Sequence, residues 1–210
     1  VLTERLRVLP DGRLENRLTI EDPETFTRAW ETVLTFHRDP AARVTDDICP
    51  DRMAKGEPAE RVATADPAPP ARVVSSPAAR PAAPTAPPLT GIWEPKTFGF
   101  LVPEAKLAAS GKAIVDSNAA AMAGGRIMHT AWTSCRPGAV STMTMPRERI
   151  LVLESPEEIT LLYEMPRMVR RIRMGGEHPQ ALQPSSVGDS IGRWEGDTLV
   201  VDTTNFRDTP

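Results

Sequence analysis

The side chains best able to do chemistry lie toward the end of this sequence. His178 stands between Glu177 and Pro179, and Asp189, Ser190, Arg193 and Asp202 follow it. A histidine there could serve as a general base or a metal ligand. Asp189, Ser190 and Arg193 put an acid, a hydroxyl and a cation in one short stretch, which is the raw material of a nucleophilic site. A nucleophilic serine needs a base, however, and no histidine lies beside it in sequence. An Asp and a Ser that stabilise a turn explain the same residues with less. Asp202 sits mid-strand between Val201 and Thr203, where an acid either faces solvent or pairs inside with a cation such as Arg5 or Arg171. The histidines at 37, 129 and 178 show no ligand spacing on a common element, so no metal site is expected.

A second set of residues points to binding instead. Trp30 and Trp194 would suit an aromatic pocket together with Trp93 and Trp132, Tyr163 is the single tyrosine, and Arg193 could hold a ligand carboxylate by a bidentate contact. Tryptophans in a chain with 5% aromatic residues also serve simply to close a core. Glu195-Gly196-Asp197 reads as a hairpin turn rather than a pair of working carboxylates. Arg167, Arg170, Arg171 and Arg173 form a local basic cluster. Strand alternation splits it, with Arg170 on one face and Arg171 and Arg173 on the other, and a solvated, charge-protected strand edge is its default explanation.

These residues need a scaffold, and the hydrophobic pattern supplies one. Leu2, Leu6 and Val8 alternate, Pro10-Asp11-Gly12 supplies turn chemistry, and Leu14, Leu18 and Ile20 resume the alternation, which predicts a β-hairpin. A third strand follows over residues 28–36. Residues 91–93 form a short strand, and a helix opening at Pro103 and running on through Ala113–Ala123 stops at Gly124-Gly125. A meander over 149–153, 158–165 and 167–174 leads through a Gly- and Pro-bounded loop to strands at 190–194 and 198–206. The fold class is therefore mainly β, an antiparallel barrel or strongly curved sheet with one or two short helices; a sandwich stays open as the alternative.

The chain divides into a β segment (1–50), a Pro/Ala-rich linker (51–88) expected to be disordered, and a second β segment (89–210). The 22 prolines concentrate in that linker, whose lack of large apolar residues denies it a core and makes it a spacer with a reach of about 3 Å per residue. Three strands alone leave an apolar face bare, so residues 1–37 are expected to pair with the second segment. A net charge of −3, with acids interspersed among the arginines, gives no footprint for nucleic acid. No apolar run is long enough for a membrane span. Val1 is not expected to be a natural start, so the lack of a charged-then-apolar leader in these residues carries no information about export. Cys49 and Cys135 either pair or serve as small buried hydrophobes.

The run from Gly188 to Thr203, Gly-Asp-Ser-Ile-Gly-Arg-Trp-Glu-Gly-Asp-Thr-Leu-Val-Val-Asp-Thr, resembles the signature of a large family of uncharacterised, often secreted bacterial β proteins. Cys135-Arg136-Pro137-Gly138, the strand around Tyr163 and Gly176-Glu177-His178-Pro179 resemble the first half of that family's module. Thr3-Glu4-Arg5, Leu18–Pro23 and Phe26–Trp30 resemble its second half. The halves are in reversed order, as in a piece of a tandem repeat or a permuted single module. The resemblance implies a lipocalin-like architecture and a periplasmic or secreted location, and carries no catalytic residues and no cofactor.

Three functions follow as expectations. The first is a non-catalytic exported module that holds a small, largely apolar molecule in the barrel mouth. The second is a hydrolase or isomerase acting on such a molecule, with His178, Asp189, Arg193 and Asp202 converging across strands. The third is a structural or interaction repeat.

Overall fold

A computed structural model describes residues 1–43, 88–96, 107–125, 143–144, 149–164 and 168–207. The proline-rich linker, both cysteines, His129, Trp132, Pro103 and Arg167 lie outside the described residues.

Among the described residues nine strands close into one barrel in sequence order: β1 (Leu2–Val8), β2 (Leu14–Ile20), β3 (Trp30–Arg38), β4 (Gly91–Pro95), β5 (Ile150–Glu154), β6 (Glu158–Tyr163), β7 (Met168–Met174), β8 (Asp189–Glu195) and β9 (Thr198–Thr204). The β1–β2 turn rests on Gly12, whose φ of 81° lies in the left-handed region that side-chain-bearing residues rarely adopt and whose N–H donates to the Leu9 carbonyl at 2.9 Å. Gly196, at φ 65°, does the same for the two-residue β8–β9 turn. The barrel closes where β1 pairs with β9, from Leu2 opposite Thr203 to Leu6 opposite Leu199. Residues 1–43 join the rest a second time through β3 and β4, where Phe36 faces Pro95 and Arg38 faces Trp93.

The expected mainly β barrel is present, and all but one of its strand contacts are antiparallel. Directions can alternate around a closed ring only if the number of strands is even. With nine strands and every strand beside its sequence neighbour, one parallel contact is unavoidable, and it falls between β7 and β8, with Ile172 opposite Ser190 and Met174 opposite Gly192. A parallel pair needs a crossover that returns along the barrel. Residues 175–188 supply it, beginning with Gly175 and Gly176, both at positive φ, and ending with Gly188 at φ 67°. A Cβ on Gly188 would sit 2.6 Å from the Thr204 carbonyl oxygen, so the close approach of crossover to β9 requires glycine.

Alternation decides what lies inside. Leu2, Leu6, Leu14, Leu18, Leu34 and Phe36 from β1–β3 meet Trp93, Val152, Ile159, Leu161, Met168, Ile172, Leu199 and Val201 in one core, to which Met143 also contributes. Each such side chain stabilises the fold by about 1.5–3 kcal/mol through removal from water. Trp93 is a core residue: its indole N–H donates to the Leu89 carbonyl at 2.7 Å, and the Arg38 guanidinium covers the ring 4.5 Å from its centroid.

Among the described residues the helix α1 runs from Ala109 to Ala123 and ends at Gly124, so it starts later than the sequence pattern predicts. Its first turn docks on the β2–β3 loop. Ala108 N–H donates to the Thr25 carbonyl at 2.9 Å, and Gly111 packs so closely that a Cβ there would lie 2.5 Å from the same oxygen. Gly111 is its one buried residue; Ile114, Val115 and Met122 are exposed. No helix among the described residues is long and apolar enough to cross a membrane.

Candidate functional site

Two polar clusters stand out, one on each side of the barrel wall. The outer one contains three of the four residues singled out for catalysis. Asp189 and Asp202 project outward from β8 and β9, and the crossover lays His178 between them. His178 Nδ1 is 2.7 Å from Asp189 Oδ2, and Nε2 is 3.2 Å from Asp202 Oδ2. Arg173 of β7 donates to both oxygens of Asp189, at 3.0 and 2.7 Å. The cluster therefore bridges the parallel seam and ties the crossover to it.

This geometry does not make a Ser–His–Asp triad. Ser190 points into the barrel, opposite to Asp189, because neighbours on a strand face opposite ways. The imidazole nitrogen that would receive a serine proton is turned onto Asp202 instead. Asp202 pairs neither with Arg5 nor with Arg171. Arg5 reaches Glu195 at 3.0 Å on the outer face, and Arg171 is exposed near Glu158.

Arg193 does not join the others. It faces solvent and holds Glu195 at 2.8 Å, so it neither converges with His178 nor lines the interior. The Arg5 and Arg193 guanidinium groups hold the Glu195 carboxyl below its usual range. Trp194, next in sequence, faces inward and packs against the core while remaining partly exposed. Trp30 lies at the start of β3, stacked on Phe26 with ring centroids 6.1 Å apart, and its indole nitrogen is buried with no hydrogen-bond partner. Tyr163 is buried inside the barrel. His37 pairs with Glu94 at 3.0 Å, and no group of three or more His, Cys, Asp or Glu among the described residues is arranged to hold a metal.

The inner cluster is the one that residue-by-residue reading of the sequence overlooks. Arg170 does not belong to a solvated strand edge: it is wholly buried in the barrel, in ion-pair contact with Glu4, which is wholly buried too. Arg170 Nε donates to Ser190 Oγ at 3.0 Å, and Nη2 donates to Thr203 Oγ1 at 2.7 Å. The two hydroxyls lie 3.0 Å apart. Glu4 Oε1 accepts from Asn16 Nδ2 at 3.0 Å. Burial pulls the Arg170 guanidinium down, but Glu4 and Tyr163 beside it outweigh that and hold it above its ordinary value. Burial also pushes the Tyr163 hydroxyl up to about 12, against the opposing pull of Arg170. Beside this ion pair, Asn16 Oδ1 is buried without a hydrogen-bond partner.

Both ends of the barrel are less completely covered than the middle, with Ile20, Val187 and Phe206 partly buried at one end. At the other, Val8, Met174 and Trp194, the inward-facing residues at the ends of β1, β7 and β8, are partly buried against the core. Gly192 makes room there, since a Cβ on it would meet Met174 Sδ at 3.0 Å and Ile172 Cγ2 at 2.8 Å. Asn16 lies in the same register row as Trp194, linked through Leu6 and Leu199.

Fold and site together define a closed nine-stranded β-barrel with an internally neutralised polar core. No family model, curated relative or solved structure matches the chain.

Proposed function

We propose that this chain is a non-catalytic binding module for a small, neutral, largely apolar molecule, taken at the barrel end rimmed by Val8, Met174 and Trp194. The observation that carries this reading is a partly uncovered apolar rim above a buried, unpaired acceptor, Asn16 Oδ1. An apolar body would cover the rim, and a hydroxyl or amide donor would complete the asparagine. Neutrality follows from the pairing of Arg170 with Glu4, which leaves no net charge for an ionised ligand to answer. Action outside the cytoplasm is part of the proposal and rests on the family resemblance.

Titration with 1-naphthol, followed by tryptophan fluorescence and native mass spectrometry, tests it. Saturable one-to-one binding is expected. Asn16→Leu should cost about tenfold in Kd, the worth of one hydrogen bond of roughly 1.4 kcal/mol, and should erase the preference for naphthol over naphthalene. Absence of saturable binding would leave the structural or interaction module as the reading, which the complete occlusion of Glu4 and Arg170 favours.

A further inference from the structure

Among the described residues the ring consists of two pieces that meet along two strand seams, through side chains in the interior, and where the first turn of α1 docks on the β2–β3 loop. Residues 1–43 form a three-stranded sheet with Leu2, Leu6, Leu14, Leu18, Leu34 and Phe36 on one face. Residues 88–207 form β4 to β9, a sheet whose first and last strands are its free edges once the smaller piece is taken away. Neither is complete without the other: three strands with one apolar face do not stand alone, and two bare edges invite pairing.

The two seams are specific. At the first, β1 lies on β9 over five residue pairs, and Arg5 holds Glu195 across it. At the second, β3 lies on β4, with His37 on Glu94 and Arg38 donating to the carbonyls of Thr90 and Pro88. Inside, Glu4 of the smaller piece neutralises Arg170 of the larger. A strand slipped by one residue would turn Glu4 to solvent and strand Arg170 unpaired in the core, which is the costliest error a barrel interior can make. The ion pair thus selects both partner and register.

Along the chain the two pieces are joined by residues 44–87. A chain of that length can extend to about 140 Å, since each residue spans at most roughly 3.3 Å. Its length does not oblige residues 1–43 to dock on their own copy.

We infer that residues 1–43 are an exchangeable part, and that the partner fitted by the open sheet β4–β9 is residues 1–43 of a second copy of this chain. Two copies exchanging these pieces make both seams and both Glu4–Arg170 pairs without any new contact. Tethering gives the docking on the same copy an effective concentration on the order of a millimolar or less, so the monomer dominates in dilute solution and the exchanged dimer forms when chains fold together at high concentration.

Charge reversal in the full chain distinguishes the two arrangements. Glu4→Arg places two cations in one interior, and Arg170→Glu places two carboxylates there, so each variant alone should lose the folded barrel. Unfolded together and refolded as an equimolar mixture, they can exchange: the two substituted side chains, of opposite charge, meet inside one barrel, and the native pair forms inside the other. The expected result is a dimer containing one chain of each variant, with the β-sheet spectrum recovered, and none from either variant alone. If the double variant Glu4→Arg/Arg170→Glu folds as a monomer while the mixture yields no mixed dimer, the inference is overturned. If the reversed pair does not fold even in one chain, isotope-labelled and unlabelled native chains refolded together at several hundred micromolar decide the matter. A mixed-label dimer that persists on dilution supports exchange, and monomer alone at every concentration refutes it.

Discussion

Arg170→Met separates two accounts of the ion pair inside the barrel. If Glu4 and Arg170 act as one unit, removing the guanidinium strands a carboxylate that is wholly out of water, at a cost of about 3–5 kcal/mol. Glu4→Leu strands the guanidinium in the same way and costs a similar amount. In the double variant neither charge of this pair remains. Ser190 and Thr203 keep each other at 3.0 Å, while the Asn16 amide and the Tyr163 hydroxyl lose a neighbour, at about 1–3 kcal/mol each. The double variant should therefore lose about as much as one single variant, not the sum, giving a coupling on the order of 3 kcal/mol. Urea unfolding followed by both tryptophan fluorescence and far-ultraviolet circular dichroism measures it, with an unchanged slope confirming that only stability has moved. Since a domain of this kind has roughly 5–15 kcal/mol in total, Glu4→Gln serves as the milder single if Glu4→Leu fails to fold. Additive losses would refute the reasoning, because two groups that depend on each other for neutralisation cannot fail independently.

Three further outcomes follow from local geometry. Tyr163, with its hydroxyl pushed up from 10.0 to about 12, keeps its proton longer in the folded than in the unfolded chain; its contribution is whole below pH 10 and is lost as pH rises toward 12, about 2–3 kcal/mol in all. The midpoint of urea unfolding should fall less steeply over that range in Tyr163→Phe than in the native chain, and parallel curves would contradict the assignment. Gly188→Ala should cost at least about 2 kcal/mol, combining positive φ with the collision against Thr204, whereas Gly12→Ala, with nothing within 4 Å of its added methyl, should cost about 1 kcal/mol, both read from thermal melts. His178→Ala removes contacts that lie partly in solvent, so global stability should change by less than about 1 kcal/mol, while hydrogen exchange at the amides of residues 177–188 accelerates; a global loss above about 2 kcal/mol would mean that the crossover is integral to the barrel.

Most of the wall was legible because strands announce themselves locally. Alternating Leu2, Leu6, Leu14 and Leu18 around a Pro-Asp-Gly turn, and Gly196 between Trp194 and Leu199, carry their structure within a few residues. The end of α1 at Gly124 was equally local. The parallel seam was not, since no residue of β7 or β8 marks it. It follows from counting nine strands around a ring, and the count depends on closure, which belongs to the whole chain. The pairing of Arg193 with Trp194 as ligand residues fails for a reason the sequence already contained: adjacent strand residues face opposite ways, so no more than one of them can look into the barrel.

Glu4 and Arg170 mark the real boundary of that legibility. Alternation alone puts Glu4 inside, flanked by Leu2 and Leu6, and puts Arg170 inside between Met168 and Ile172. Taken singly, each position looks like an error in the pattern, because an unpaired charge in a core is prohibitive and an exposed one is ordinary. Only the closed ring makes them partners, by bringing the first strand onto the last. Two charges of opposite sign, each on the apolar face of a strand and far apart in sequence, are thus a stronger sign of barrel closure than either is of error. The same logic explains why the outer cluster was easier to suspect. His178, Asp189 and Asp202 are polar where polar residues belong, and the fold had only to bring them together.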